Sequence, residues 1–219
     1  MSLSRKQTIP FLALALLAFV GLGLEVLLAL AIEPLLYGKE MGEWETTEYI
    51  LHWVITCIVW GVLATALMVF AQKRLSFNVW AAQDKLRPAN WLVCLVILVA
   101  LIAVSTVRFH GIPVIQSFQS LGLLKFVFQH IYYAFEALLV LLIIVFGQRA
   151  GECAVARQQI PWGGTLAGLT WGLVHILTKG DVATGLFGCL YGLLFGVIYL
   201  AARKNTGVAY VFILLAFIY

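Results

Sequence analysis

Long uncharged stretches alternate with short polar ones along the whole chain. Apolar runs bounded by charge fall at 9–36, 49–71, 91–107, 126–147, 161–177, 186–202 and 208–219. A membrane-crossing helix needs about 20 apolar residues, so the pattern predicts an all-α bundle of about seven transmembrane helices. The last run is short for a full crossing and reads as a partial span or as one that continues past Tyr219. The first is too long for the core of a signal peptide and has no small-residue cleavage site, so it is expected to be a retained span. Between the second and third runs, Phe77, Val79, Trp80 and Leu86 are interspersed with charges, which suggests a short interfacial helix. Pro113 interrupts the stretch before the fourth run, and 112–124 reads as a similar surface or re-entrant piece.

Composition sharpens this picture. The 219 residues are 63% hydrophobic and 11% charged, with a mean hydropathy of +1.01. An ordinary soluble domain is roughly half apolar and about a quarter charged. This excludes a soluble globular enzyme and a nucleic-acid-binding module. It leaves no room for a separate soluble domain, so residues 1–219 read as one integral membrane domain with the lipid bilayer as its first partner. Cys57, Cys94 and Cys189 lie in apolar runs and Cys153 in a predicted loop, none at CxxC spacing, so no disulfide framework or zinc ribbon is indicated.

The loops alternate in charge. Arg5, Lys6, Lys73, Arg74, Lys85, Arg87, Arg149, Arg157, Arg203 and Lys204, ten of the fourteen basic residues, fall on one side. Lys39, Arg108, Lys125 and Lys179 fall on the other, together with Glu40, Glu43, Glu45 and Glu48. By the positive-inside rule the N-terminus is expected to be cytoplasmic. Trp44, Trp80, Trp91 and Trp162 stand near span ends, as an aromatic belt does.

Ionisable groups inside spans are costly and mark function by default. Glu136 is the foremost, near the centre of the fourth run, with Gln129, Tyr132 and Tyr133 on its helical face at i−7, i−4 and i−3. His175 follows on the fifth, with Gly168, Trp171 and Gly172 on its face. Gly164, Gly168 and Gly172, like Gly188, Gly192 and Gly196 on the sixth run, recur every fourth residue, a period that lets helix backbones approach closely. Glu25, inside the first run, comes out at a depth similar to Glu136. His52, His110, His130 and His175 all fall toward one side, with His130 roughly 9 Å from the level of Glu136 and about 120° round the helix. No short metal-binding spacing such as HExxH occurs, so neither a metal nor another cofactor is expected.

An intramembrane Glu136, the Trp171-to-His175 spacing on the next run and the segment YGLLFGVIYLAARKNTG resemble the CAAX prenyl protease and bacteriocin-processing family, also called the Abi family, from about Phe126 onward. The resemblance implies a glutamate-type intramembrane endopeptidase, with Glu136 as the water-activating carboxylate and His175 as its partner. It further implies a peptide or protein substrate and a multi-pass position in a bacterial plasma membrane. The family's first motif carries a second glutamate and an arginine where this chain has Phe135 and Val140, and the last run holds neither the family's histidine nor its asparagine. Tyr132, Tyr133, Gln129, Trp171, His130 and Glu25 are the side chains that can support such a site.

Two other readings fit the same residues. One is an inactive relative serving as a membrane scaffold, immunity protein or peptide-export accessory. The other is a small proton-coupled carrier titrating Glu25 and Glu136, although no pair of broken spans marks a transport site.

Overall fold

Every apolar run of the sequence is helical. The computed structural model describes residues 5–81 and 85–219, and among the described residues there is no strand. The helices are α1 (Arg5–Tyr37), α2 (Thr46–Leu75), α3 (Pro88–Arg108), α4 (Pro113–Val155), α5 (162–179), α6 (Val182–Ala201) and α7 (Thr206–Ile218). Among the described residues, five of them, all but α5 and α7, are long and apolar enough to cross a membrane. α5 is helical in three consecutive pieces with a wide π turn at Gly168–Gly172, and α7 is only 13 residues long. α1 likewise contains a π turn, at Leu28–Ile32.

Local chemistry sets the ends. α2 opens on a capping box in which the Glu45 backbone N–H donates to Glu48 Oε2 at 2.7 Å, and it closes with Lys73 and Arg74 against its negative dipole end. Lys39, whose ammonium stands 2.6 Å from Glu48 Oε1, is held above its ordinary pKa, chiefly by that contact. α3 opens on Pro88 at its first position, where the missing N–H costs nothing.

α4 is the mast of the bundle. Leu139 through Phe146 are each at most 1% exposed, the pattern of a helix apolar on every side. It packs against α1, α2, α5 and α7, while α3 packs against α6 and α7 at the periphery.

Three expectations change here. Residues 113–121 form the first part of α4 rather than a separate surface piece, and the helix breaks at Gly122, whose φ of 71° and ψ of 168° few side chains tolerate. At its other end α4 runs on to Val155, so Cys153 is buried inside a helix and not in a loop. The α2–α3 connection is not helical in its described part; Val79 is 5% exposed, and Phe77 lies edge-on to Phe11 at 5.2 Å. Ala82, Gln83 and Asp84 of that expected interfacial helix lie outside the described residues.

The glycine stripes of α5 and α6 face each other. A Cβ on Gly196 would stand 2.4 Å from the Gly164 Cα, one on Gly192 would stand 2.5 Å from the Gly168 nitrogen, and one on Gly188 would stand 2.7 Å from the Gly172 oxygen. The two backbones therefore touch along three turns, and this contact fixes the angle at which α5 delivers its polar residues to α4.

Asp181 starts α6. Its carboxylate accepts the N–H groups of Ala183 and Thr184 at 3.1 and 2.9 Å, the Thr184 hydroxyl, and Arg108 Nη2 at 3.1 Å, which ties α3 to α6. These donors, the Thr184 hydroxyl first, pull its pKa from 3.8 to about 2. A carboxylate depressed in the folded state stabilises it above the unfolded pKa, and that contribution disappears as pH falls toward the folded value. Asp181→Ala is therefore expected to lower Tm at neutral pH, with the difference from wild type vanishing between pH 4 and pH 2 in a thermal melt.

Candidate functional site

Two polar centres meet where α1, α2, α4 and α5 converge. At the first, Glu136 of α4 accepts a hydrogen bond on Oε1 from Trp171 Nε1 at 3.0 Å. Trp171 is 8% exposed, and its ring also meets His175 edge-on at 5.0 Å. His175 Nδ1 donates to the Trp171 carbonyl one turn back, at 2.7 Å. Among the described residues no hydrogen bond joins Glu136 to His175. The indole is the common neighbour of both, and both side chains are partly exposed.

The second centre is built from α1 and α2. His52 Nδ1 donates to Glu33 Oε2 at 2.7 Å, and its Nε2 faces Glu25 Oε1 at 3.6 Å. Glu33 is 0% exposed and His52 1%. Among the described residues, Glu33 Oε1, His52 Nε2 and the hydroxyl of Thr56, one turn further along α2, are buried with no hydrogen-bond partner. A polar group left this way in an apolar interior costs on the order of 1–3 kcal/mol, so the surroundings hold it there against a real penalty.

The π turn of α1 makes this cluster. Eight residues of regular helix would leave Glu33 about 80° round from Glu25. The wide turn at Leu28–Ile32 takes up that excess rotation, and both carboxylates reach the same imidazole.

Glu25 links the two centres. It lies within electrostatic reach of Tyr132, Tyr133 and Glu136, and Lys179 near the end of α5 is the cation that Glu136 feels. Tyr132 packs on Trp60 at 4.9 Å, and the Trp60 indole donates to the Gly21 carbonyl at 2.9 Å, anchoring α2 to α1.

The remaining candidates are placed apart. Gln129 Oε1 accepts from Ser117 across the Gly122 break at 2.9 Å. His130 Nδ1 donates to the Phe126 carbonyl at 2.7 Å, and its ring contacts Phe126 and Tyr133 rather than Glu136. Among the described residues no group of three or more His, Cys, Asp or Glu side chains is placed to hold a metal ion. The pairing of Glu33 with His52 escaped the sequence reading, because helical periodicity puts Glu33 on another face. A cavity of about 390 Å³ lies between α2 and α4, lined by apolar residues that include Cys57, Phe128, Ile131 and Phe135.

Chemically, the region offers a carboxylate held by one donor, an imidazole on the adjoining turn of another helix, and a second acid–imidazole pair behind them. No protein-family model, curated protein or solved structure matches the chain. Its class rests on the fold itself: a helical protein with several long apolar helices suited to a membrane and an acid–imidazole cluster in its interior.

Proposed function

We propose that the chain is a glutamate-type intramembrane peptidase that hydrolyses a peptide or protein at the bilayer, with Glu136 as general base and His175 as proton carrier. The observation that supports this reading is the convergence of Glu136 and His175, from different helices, on the Trp171 indole. Trp171 engages one carboxylate oxygen and orients the group. Glu136 then takes a proton from water, the hydroxide adds to the scissile carbonyl carbon, and His175 passes a proton to the departing amine as the C–N bond breaks.

A second reading draws on the same Trp171–Glu136 hydrogen bond. As a structural tie between α4 and α5 it suits a non-catalytic scaffold or peptide-export accessory in the membrane.

Glu136→Gln separates the two, because a glutamine oxygen still accepts from Trp171. The peptidase reading expects the variant to purify with an unchanged melting profile and to process peptides at least about a hundredfold more slowly. Comparing peptide termini in membranes from cells making wild type, Glu136→Gln or His175→Ala provides the readout. Undiminished processing by Glu136→Gln refutes the peptidase and leaves the accessory role.

A further inference from the structure

The acid–imidazole pair of α1 and α2 has no part in the chemistry assigned to Glu136, yet its geometry is that of a proton carrier. His52 stands between two carboxylates, one at each ring nitrogen: Glu33 Oε2 lies 2.7 Å from Nδ1, and Glu25 Oε1 lies 3.6 Å from Nε2. An imidazole can take a proton on one nitrogen while giving one up from the other. With its proton on Nδ1, bonded to Glu33, the ring turns the Nε2 lone pair toward Glu25. Nε2 and Glu33 Oε1 are closed to solvent, so a proton reaches the ring through one of the two carboxylates.

The two carboxylates lead to different places. Glu25, its side chain 31% exposed, lies within electrostatic reach of Glu136, Tyr132 and Tyr133. Glu136 is partly exposed as well, so water can carry a proton between the two acids. Glu33 leads the other way along α1. One turn beyond it, within its electrostatic reach, the Tyr37 hydroxyl is buried with no hydrogen-bond partner among the described residues. Past Tyr37 the chain emerges at Gly38 and Glu40, both exposed. From Glu25 to Tyr37 the series covers about 18 Å of helix axis. The cations of this region are engaged elsewhere: Lys39 with Glu48 at 2.6 Å, Lys125 over the Tyr49 ring at 5.6 Å, and Lys179 in the field of Glu136. Among the described residues His52 is the one hydrogen-bond and ion-pair partner of Glu33.

We propose that Glu25, His52 and Glu33 form a proton relay that unloads and reloads Glu136 through the Tyr37 end of α1. In unloading, Glu136 gives its proton to Glu25 by way of water, and the Glu25 carboxyl O–H passes a proton to His52 Nε2. The Nδ1 proton then leaves to Glu33 and on toward the Tyr37 end. One proton enters the ring and one leaves it, so the imidazole stays neutral and finishes with its proton on Nε2. Reloading runs the same steps backward and restores the Nδ1 form. The negative charge left on Glu136 favours the Nε2 form, because that N–H points to the side that has become more negative. The relay does not depend on what Glu136 does with its proton; in a peptidase it empties the base between turnovers.

Two measurements on the full chain in detergent test this. The first is nitrogen NMR of protein carrying ¹⁵N-labelled histidine, with the His52 signals identified by their loss in His52→Gln. Should that variant not fold, replacing His110, His130 and His175 by glutamine leaves His52 as the labelled ring. As pH rises, the signals are expected to change from the Nδ1–H to the Nε2–H pattern in step with the Glu136 carboxyl C=O infrared band, the band that Glu136→Gln removes. In Glu136→Gln the ring is expected to keep the Nδ1–H pattern. The second measurement follows that infrared band after a rapid rise in pH. Glu33→Gln still accepts from Nδ1 but takes up no proton; it is expected to slow the decay at least about tenfold and leave the final amplitude unchanged. A His52 ring that holds one tautomer, or both protons, across the titration overturns the proposal. So does a ring that switches equally in Glu136→Gln, or an undiminished rate in Glu33→Gln.

Discussion

Gly192→Leu is expected to abolish the folded protein. The first side-chain carbon at this position would stand 2.5 Å from the Gly168 nitrogen and 2.9 Å from the Ala167 carbonyl carbon, both backbone atoms of α5. A flexible neighbour can swing away from an intruding methyl, but a helix backbone can only move as a unit. In a membrane, helices of this kind are joined by close packing rather than by hydrophobic burial. Parting α5 from α6 therefore removes most of what holds them, with an expected loss above about 4 kcal/mol. Size-exclusion chromatography in detergent should show the monodisperse peak replaced by aggregate. Gly42→Ala serves as the control, since nothing lies within 4 Å of the added carbon, and should leave the profile unchanged. A monodisperse Gly192→Leu protein with wild-type Tm would refute the packing account.

The second large effect is expected at His52. Replacing it with leucine strands Glu33, 0% exposed, without the donor 2.7 Å away. Removing one partner of a buried acid–base pair costs about 3–5 kcal/mol, whereas replacing both by apolar groups of similar size is often nearly neutral. His52→Leu should therefore lower Tm sharply, Glu33→Leu should do so less, and the double variant should recover most of the loss. A double-mutant cycle of thermal melts reads the coupling directly. Additive losses would show that the two groups do not depend on each other.

Much of this architecture can be read from residues in order. The seven apolar runs become helices because a long apolar segment has only one way to satisfy its backbone in lipid. The glycine stripes at every fourth residue announce the α5–α6 contact, and the four-residue step from Trp171 to His175 places both on one face. The shared face of Tyr132, Tyr133 and Glu136 follows from sequence for the same reason, since α4 is regular from Phe126 onward. The Glu33–His52 pair is not legible, because it depends on a wide turn that side-chain periodicity does not reveal. The extension of α4 past Gly147 is equally hidden. It depends on Gln148, which bonds the Ile160 carbonyl at 3.0 Å and the Gly163 N–H at 3.2 Å, and on Glu152, which meets Lys204; all are partners distant in sequence. Five helices rather than seven reach crossing length among the described residues because α5 is divided by glycines and α7 is brief.

The wide turn in α1 has a consequence for how variation along this helix translates into chemistry. The shared aim of Glu25 and Glu33 depends on segment length, since the extra backbone in Leu28–Ile32 acts as a phase correction. The exposed side chains of Leu30, Ala31 and Ile32 can change in kind without disturbing that aim, while losing a single residue within 28–32 would swing Glu33 by about 100° and dismantle the pair. Tolerance to substitution at the three exposed positions and intolerance to deletion thus coexist in one turn.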